Sequence, residues 1–551
     1  MARIALSRFQ LTNCRYTAIS LLILAPLVGV GYIITADMSW GPHLPTVPIE
    51  NNTWLLTEIL IVLVKLITSS IVQKLILLAI FILAGLGAHR LASLARSLRD
   101  YPLAAYTAGM LYIFNPFVYS RLMQGQWLVL LGYALLPWAV ASLWRLMQKP
   151  AWPTAWRAFV WSVLVALASL HAVGFVALAA VALFVAAGKT GIRRRAVWSL
   201  ALAGAWAVAN GLWLIPALTG HSHISSEVGS FGAAQLQAFA TSGTIHGSVP
   251  LSSLLLEGFW PDRQFRYTLP STLATWWPAV ILLGSLILIG IVQVIRKRDK
   301  LGLALLILGV IAWWLGMGVG WRWSAGATQF LVDHVPFYRG YREPQKWLML
   351  LALSYAYCAA NGTAWLMNRL KPMDWRPVVA GVAALLPLLL VPTLLWGAGG
   401  QLKSVQYPAD WYSVRGVLDK SAWDSPVVVL PWHMYLRLSF AGNQGTLPGR
   451  VVANPARHFF SQAVVTGNDA ELRGVPPINT TALETVINTQ ILPRRNSITD
   501  VGASLRPYKV RYIILYKEAD WDSYGWLDHQ TDLHVAYDGP HIRLYEIKAE
   551  K

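Results

Sequence analysis

The 551-residue sequence contains little cysteine and little charge. Its two cysteines, Cys14 and Cys358, lie in an N-terminal tail and in an apolar run, which excludes a disulfide framework and a cysteine-based metal cluster. Charged residues make up 13% of the chain, whereas 56% of it is hydrophobic. A chain of this length and composition is typical of a polytopic membrane protein with room for a separate soluble domain.

The motifs of common soluble enzymes are also missing from the polar last part of the chain. Residues 398–551 contain no Gly-rich phosphate loop, no nucleophile elbow and no His/Cys metal spacing. This favours a lid, a glycan-binding module or a partner-docking module over an independent enzyme. At the other end, we expect the first apolar run to be a span and not a cleavable signal peptide, because it lacks a cleavage site and leads into further spans.

Hydropathy and basic residues together predict a topology. Three arginines precede a first span at about residues 18–35, so the N-terminus is expected in the cytoplasm. The apolar segment 54–71 carries Glu58 and Lys65. If this segment crossed the membrane, the basic stretch at residues 90–99 would face outward, so we interpret it as a helix lying on the outer surface.

Ten further spans are expected after the surface helix. They fall at about residues 73–89, 102–115, 127–145, 157–171, 173–188, 197–218, 272–295, 301–320, 347–367 and 377–397. The prediction is therefore a plasma-membrane protein of about eleven transmembrane helices with a cytoplasmic N-terminus. The C-terminus is expected outside the cytoplasm.

The strongly basic balance of the chain follows from the same topology. The formal net charge is +19. Nearly all of this excess falls in the segments assigned to the cytoplasm, as the positive-inside rule requires. The charge is therefore not a nucleic-acid footprint, and we expect no nucleic-acid partner.

The composition divides the chain into two domains. Residues 1–397 form the membrane domain, with a first outer loop at 36–53 followed by the surface helix at 54–71. Residues 398–551 carry charge throughout and contain short β-branched runs at Val427–Leu430, 510–516 and 533–537. Asp538 and Gly539 then form a turn into Ile542–Ile547, which predicts a terminal β-hairpin. We expect an extracytoplasmic α/β or α+β domain.

The segment 111–138 predicts a hairpin at a membrane surface. Asn115 and Pro116 interrupt its apolar run, and a polar stretch with Arg121 and Gln124 follows before the chain becomes apolar again at Trp127. Irregular polar backbone at membrane depth usually lines a cavity. The alternative is a plain turn between helices, with Arg121 extending to the interface.

Carboxylates, histidines and cations recur in the predicted outer loops. The first outer loop contains Asp37 and Glu50, and His171 lies at a turn between two short spans. The other candidates are in the long loop at 219–271 and in the run VDHVPFYRGYREPQKW: His221, His223, Glu227, Glu257, Asp262, Arg339, Arg342, Glu343 and Lys346. All of them are expected on one face of the membrane.

Carboxylates, histidines and cations together favour a reaction in which a hydroxyl group attacks an anionic substrate. A carboxylate can take the acceptor proton, while Arg121, Arg342 and Lys346 neutralise a departing phosphate. Gln124 is placed with these phosphate-binding candidates. Each element also has a structural interpretation. Asp37 can be a polar residue after a membrane helix, and Arg342 with Glu343 can be a structural ion pair.

Three stretches carry a resemblance to a known family. NPFVYSRLMQGQWLVLLGYALLPW, ANGLWLIP and GYREPQKWLMLLALSYAY resemble the membrane portion of GT-C class glycosyltransferases, and of these the arabinofuranosyltransferase D type and its relatives most. The resemblance covers about the first 400 residues. It implies a polyprenyl-phosphate sugar as donor, an outer-surface helix after the first loop, and Asp37 as the catalytic base. Many relatives have paired acidic residues there, but this chain has Asp37-Met38-Ser39, so a requirement for Mg²⁺ or Mn²⁺ is left open.

The sequence thus predicts an inverting membrane glycosyltransferase that uses a polyprenyl-phosphate sugar. Its acceptor would be an envelope glycan, lipid or protein on the outer membrane face. Two alternatives are a noncatalytic scaffold or glycan-binding protein and a transporter or flippase for lipid-linked saccharides. The sequence has no convincing internal repeat and no paired broken helices in corresponding halves, which argues against a transporter.

Overall fold

A computed structural model describes residues 2–222, 225, 228–229, 231–264, 266–370, 373–421, 425–445, 447–469, 471–472, 475 and 481–549. The chain forms two compact units. The first, here the helical unit, comprises Met1–Ala25, Val47–Ile59 and Leu75–Gly400. The second, here the sheet unit, comprises Pro26–Thr46, Leu60–Lys74 and Gln401–Lys551.

Helices make up most of the chain before residue 400. In chain order they are α1 (Ala2–Leu24), α2 (Trp54–Leu66), α3 (Ser69–Ala92), α4 (Ala105–Ile113), α5 (Pro116–Gln124), α6 (Trp127–Gln148), α7 (Trp152–Ala168), α8 (Leu170–Ala186), α9 (Ile192–Ala209), α10 (Gly211–Thr219), α11 (Ala233–Ala238), α12 (Val249–Leu254), α13 (Trp276–Arg296), α14 (Lys300–Met317), α15 (Arg322–His334), α16 (Leu348–Arg369) and α17 (Arg376–Leu390). Several match the predicted spans to within a few residues.

Four helices are long and apolar enough to cross a membrane in the part of the chain that the structure describes, namely α3, α6, α13 and α14. The number rises to six if two bent pairs each count as one span. The pairs are α9 with α10, bent by 86°, and α17 with Pro392–Gly399, bent by 78°. The chain therefore has several membrane-type helices, and the expected count of about eleven is not confirmed.

Some predicted boundaries are wrong. The first span was expected at residues 18–35, but α1 ends at Leu24 and Tyr32–Ile33 is a strand, because Pro26, Gly29 and Gly31 interrupt the apolar run. The surface helix expected at 54–71 ends at Leu66, and its apolar side chains Leu55, Ile59, Val62 and Leu66 are exposed. The span expected at 197–218 breaks at Asn210.

The helical unit is built around α16, which packs against α4, α13 and α14. Glycine residues let the backbones of α16 and α13 approach each other closely. A Cβ on Gly362 would lie 2.0 Å from the Leu286 carbonyl oxygen, and one on Gly290 would lie 1.8 Å from the carbonyl oxygen of Cys358. Small residues that let two backbones approach are typical of helix packing in membranes.

The polar segment after Asn115 is helical, which corrects the expected turn. Asn115 caps α5 by accepting a hydrogen bond from the Val118 amide at 3.1 Å, and Pro116 occupies the first helical position. Gly125 ends the helix in the left-handed conformation with φ 88°. Every residue of α5 is buried. Arg121 therefore does not extend to an interface, and the second interpretation of this segment is wrong.

The sheet unit contains one five-stranded mixed sheet and two small sheets. The strands are β1 (Tyr32–Ile33), β2 (Ser404–Val405), β3 (Val427–Leu430), β4 (Tyr435–Leu438), β5 (Arg450–Ala453), β6 (Val464–Val465), β7 (Tyr512–Tyr516), β8 (Leu533–Asp538) and β9 (Ile542–Ile547). The large sheet has the order β6-β3-β7-β9-β8, and β1-β2 and β4-β5 form the small sheets. Four helices accompany them: α18 (Ala409–Leu418), α19 (Ala456–Phe459), α20 (Ala482–Val486) and α21 (Val501–Leu505).

The sequence pattern of the large sheet explains its burial on both faces. Val427 and Val429 belong to one hydrophobic cluster, whereas Val428 and Leu430 belong to the other. Successive side chains of a strand point to opposite faces, so an uninterrupted apolar run indicates a strand covered on both sides. The predicted strand at 427–430 and the predicted terminal hairpin of β8 and β9 are confirmed, and β8 pairs with β9 antiparallel.

Candidate active site

The helical unit holds a group of buried charges that we call the ion cluster: Arg121, Glu343 and Lys346. Arg121 comes from α5, and the other two come from the turns before α16. Arg121 Nη1 lies 3.3 Å from Glu343 Oε2, and Lys346 Nζ lies 3.0 Å from the same oxygen. Because two cations share one carboxylate, the cluster has an excess of positive charge.

Two neutral side chains also contact the cluster. Trp260 Nε1 donates to Glu343 Oε1 at 3.1 Å, and Gln126 Oε1 accepts from Arg121 Nη1 at 2.6 Å. Burial of Glu343 alone would raise the pKa of its carboxyl, but Lys346 and Arg121 outweigh that effect and hold the pKa below its usual range. Glu343 is therefore the anion that holds the two cations in place.

Lys346 also lines a cavity of about 600 Å³ in the helical unit. Arg342 and His171 contribute to the same wall, so this cavity brings together three of the residues singled out from the sequence. Aromatic rings form much of the remaining surface: Trp206, Trp213, Phe231, Phe337, Tyr338 and Tyr341. Asn51 and Asn52 add amide groups. We call it the phosphate-type cavity, for the cations at its edge.

Hydrogen bonds fix His171 and Tyr341 against each other. His171 Nε2 lies 3.2 Å from Lys346 Nζ and 2.9 Å from the carbonyl oxygen of Gly340. The Lys346 ammonium can only donate a hydrogen bond. His171 Nε2 therefore accepts from Lys346 in one tautomer and donates to the Gly340 carbonyl in the other. Tyr341 donates its hydroxyl to the His171 carbonyl at 2.9 Å. A Cβ on Gly174 would lie 2.0 Å from that hydroxyl, so only glycine leaves room for it.

Arg342 is held by aromatic faces. Its guanidinium carbon lies 4.0 Å from the ring centroid of Phe231 and 5.0 Å from that of Phe239. Stacking of this kind fixes the plane of a guanidinium. Its neighbour Glu343 pairs with Arg121 and Lys346 in the ion cluster.

Two more candidate carboxylates organise the long loop of the helical unit. Asp262 accepts hydrogen bonds from the Phe259 amide at 3.0 Å and from the Tyr267 hydroxyl. Burial raises the pKa of Asp262 to about 7. Glu257 accepts from the Thr244 hydroxyl and the Ser271 amide, both at 2.9 Å. Neither residue lines the phosphate-type cavity.

Asp37 lies in the sheet unit. Thr35 and Met38 form a tight turn around it, with backbone hydrogen bonds of 3.1 and 3.3 Å. The Tyr435 hydroxyl of β4 donates to Asp37 Oδ1 at 3.0 Å, and the Ala36 carbonyl accepts from the Ala453 amide at 2.7 Å. The β4-β5 hairpin thus positions the carboxylate, which is partly exposed between buried neighbours.

The remaining candidates lie apart from the cavity wall. Gln124 is buried in α5, and Arg339 donates to the carbonyl groups of Val332 and Gly229, both at 3.4 Å. Glu50 is half-buried before α2, and His221 is exposed after α10. His223 and Glu227 lie outside the described residues. Arg121 is buried behind the cavity, and its side chain is 1% exposed.

Sequence reasoning missed the neutral partners of these groups. Gln126 and Trp260 both contact the ion cluster, and Tyr435 holds Asp37 across 398 positions of sequence. The one available signal was composition, because Gln126 stands in the polar QGQ of the segment that contains Arg121. Among the residues that the structure describes, no group of three or more His, Cys, Asp or Glu side chains is arranged to hold a metal ion.

No protein-family model and no curated protein matches this sequence. A solved structure does resemble it: a mutant form of the arabinofuranosyltransferase AftD from Mycobacteria, determined by single-particle cryo-EM. The TM-score is 0.58 at 14% sequence identity, over 98% of this chain and 41% of the AftD chain. The fold therefore resembles that of a membrane GT-C glycosyltransferase. This chain spans less than half of the length of AftD.

Proposed function

We propose that this chain is a membrane glycosyltransferase that moves a sugar from a polyprenyl-phosphate donor to an envelope glycan, lipid or protein. The observation that carries the proposal is the phosphate-type cavity, where Arg342, Lys346 and His171 face an aromatic wall. Guanidinium and ammonium groups match the charge of a lipid phosphate, and aromatic faces pack against a sugar ring. The fold likeness to AftD supports the same class of reaction.

Within this proposal, Arg342 and Lys346 bind the donor phosphate. Lys346 is oriented by Glu343 at 3.0 Å, and Arg342 is oriented by Phe231 at 4.0 Å. Arg121 supports the site indirectly, because it shares the Glu343 carboxylate with Lys346. The phosphate-binding role first given to three cations is therefore assigned to two of them, with Arg121 as a positioning residue.

Asp37 is our candidate for the general base of an inverting transfer. The acceptor oxygen would attack the anomeric carbon, the bond from that carbon to the phosphate oxygen would break, and the polyprenyl phosphate would leave with the electron pair. The acceptor proton would pass to a carboxylate oxygen of Asp37. The hydrogen bond from Tyr435 supports this role, because it holds the carboxylate in a defined position.

The experiment is to incubate purified protein with radiolabelled polyprenyl-phosphate sugars and a panel of acceptors. Asp37→Asn keeps the shape and removes the basic oxygen, so we expect a loss of about 10²- to 10⁴-fold in rate with donor binding unchanged. Glu50→Gln, Glu257→Gln and Asp262→Asn are the parallel variants. Full turnover in Asp37→Asn together with loss in one of these would assign the base to that residue.

Donor binding is tested by replacing two arginines of the same segment, Arg342 as the test and Arg339 as the control. Arg342→Gln should weaken binding of a polyprenyl-phosphate sugar by about tenfold or more, since a charge-assisted hydrogen bond is lost. Arg339→Gln is the matched control, because Arg339 lies three positions away and does not line the cavity. Equal affinity in both variants and the parent would refute the assignment. Donor binding without turnover of any donor by the parent would favour the scaffold or the flippase.

A further inference from the structure

A second polar cavity lies in the helical unit, away from the residues used above. It has a volume of about 620 Å³ and is lined by α1, α3, the segment 100–106 and the ends of α16 and α17. Three arginines reach its wall: Arg15, Arg90 and Arg376. His89 and Thr12 add polar groups, and Asp100 is the acidic residue of the lining. We call it the arginine cavity.

Each of these arginines stacks on an aromatic ring. The guanidinium carbon of Arg15 lies 5.1 Å from the ring centroid of Tyr106, that of Arg90 lies 4.5 Å from Trp138, and that of Arg376 lies 5.4 Å from Tyr101. Stacking holds a guanidinium plane in place and lowers the entropy lost when its N–H edge meets an anion.

Other hydrogen bonds fix the aromatic rings themselves. The Tyr106 hydroxyl lies 3.0 Å from Thr12 Oγ1, and the Tyr101 hydroxyl donates to Asn368 at 2.7 Å. Three separate parts of the chain therefore place their arginines in fixed positions around one space. Arginines that served only as positive-inside topology signals would have no reason to line one cavity.

The charges of the wall do not cancel one another. Asp100 is exposed, and in the described part of the chain neither Arg15 nor Arg376 has a carboxylate within ion-pairing distance. The Nε of Arg376 is buried, and no hydrogen-bond partner lies near it among the described residues. A buried donor of this kind costs free energy unless an acceptor from outside the chain satisfies it.

We infer that the arginine cavity binds the phosphate headgroup of an anionic membrane lipid. Guanidinium groups match phosphate oxygens in two parallel hydrogen bonds. Five apolar residues of the same wall favour a lipid over free phosphate: Leu11, Leu86, Pro102, Leu103 and Met367. The arginines belong to the segments that the charge pattern assigns to the cytoplasmic side, where anionic lipids attract basic groups.

The test is a binding titration of the purified full chain in mild detergent, followed by native mass spectrometry. The probes are phosphatidylglycerol, phosphatidylcholine and the soluble headgroup glycerol phosphate. We expect phosphatidylglycerol to bind at least about tenfold more tightly than the other two. Arg15→Gln with Arg376→Gln should weaken that binding by about tenfold or more, because each arginine near a lipid phosphate contributes about fivefold.

Two further variants make the result specific. Arg193→Gln with Arg194→Gln is the matched control, since these arginines are exposed, are predicted to be cytoplasmic and do not line the cavity. Arg15→Lys with Arg376→Lys keeps the charge and loses the guanidinium fork, so its binding should fall between those of the parent and the Gln pair. The inference fails if the control loses as much affinity as the cavity pair. It also fails if phosphatidylcholine or glycerol phosphate binds as tightly as phosphatidylglycerol.

Discussion

Both units of the molecule contain carboxylate–arginine ion pairs, but one pair is buried and the other is exposed to water. In the helical unit, the side chains of Arg121 and Glu343 are 1% and 8% exposed. In the sheet unit, Arg543 pairs with Asp538 across β8 and β9 at 2.9 Å, and these side chains are 18% and 44% exposed. In both pairs the arginine helps to lower the pKa of the carboxyl, so a shift in the same direction occurs in very different surroundings.

The comparison teaches that burial, more than contact, sets the cost of breaking an ion pair. Removing one partner of a buried pair leaves an uncompensated charge where water cannot reach it. Removing one partner of an exposed pair lets water and salt take its place. The following predictions test this difference, from the largest expected effect to the smallest.

Glu343→Gln should destabilise the helical unit most. The change leaves Arg121 and Lys346 buried without their shared anion, at a cost of about 3–5 kcal/mol. Unfolding in mixed micelles titrated with SDS would measure it. Glu343→Gln combined with Arg121→Met is the control, since it removes one of the two cations as well and should recover part of the loss. If Glu343→Gln alone were as stable as the parent, the ion cluster would make no contribution to the stability of the helical unit.

Asp262 should make stability depend on pH. Its carboxyl has a pKa of about 7 in the fold, raised by burial, against an ordinary value near 4. The unfolded chain therefore loses its proton first, and stability should fall as the pH rises from about 4 to about 7 and then level off. Asp262→Asn cannot titrate and should reduce this slope. Burial raises the pKa of Glu257 as well, so Glu257→Gln measures how much of the slope comes from this second carboxyl of the loop. An unchanged slope in Asp262→Asn would contradict the prediction.

Trp260→Phe tests a neutral contact to the same buried anion. The variant keeps an aromatic side chain, although a smaller one, and removes the N–H that donates to Glu343 Oε1 at 3.1 Å. A hydrogen bond to a charged group contributes about 1.5–3 kcal/mol, so the loss should be smaller than that of Glu343→Gln. The SDS titration of mixed micelles applies again. Trp277→Phe is a control for the ring change, because Trp277 is 41% exposed. A loss in Trp277→Phe as large as in Trp260→Phe would show that the N–H contact is not the cause.

Local sequence pattern was enough to predict the helices and strands whose formation depends on neighbouring residues. The apolar run at 427–430 predicted β3, and the Asp-Gly turn predicted the terminal hairpin, because both signals act over a few residues. The run from Trp127 gave α6 for the same reason. The bend at Asn210 was missed, because mean hydropathy does not register where a helix breaks.

The site depended on contacts that the sequence does not show. Arg121 and Glu343 are 222 positions apart, and nothing in the local sequence pattern around either residue predicts that they pair. Asp37 was grouped with the membrane half, whereas its turn packs with β4 and β5 in the sheet unit. Charge type and spacing selected the candidate residues, and long-range packing decided which of them meet.

Asp538→Asn should have the smallest effect of the series. Arg543 Nε and Nη2 each lie 2.9 Å from an Asp538 oxygen, but water reaches the pair, so the loss should be about 0.2–1 kcal/mol. Hydrogen exchange of the β8 and β9 amides in the full chain would measure it, and high salt should shrink the difference. The hydrogen bonds of Arg543 hold the pKa of Asp538 at about 2, so its contribution is present above about pH 4 and is lost as the pH falls toward 2. If Asp538→Asn cost as much as Glu343→Gln, depth would not be what separates the two pairs.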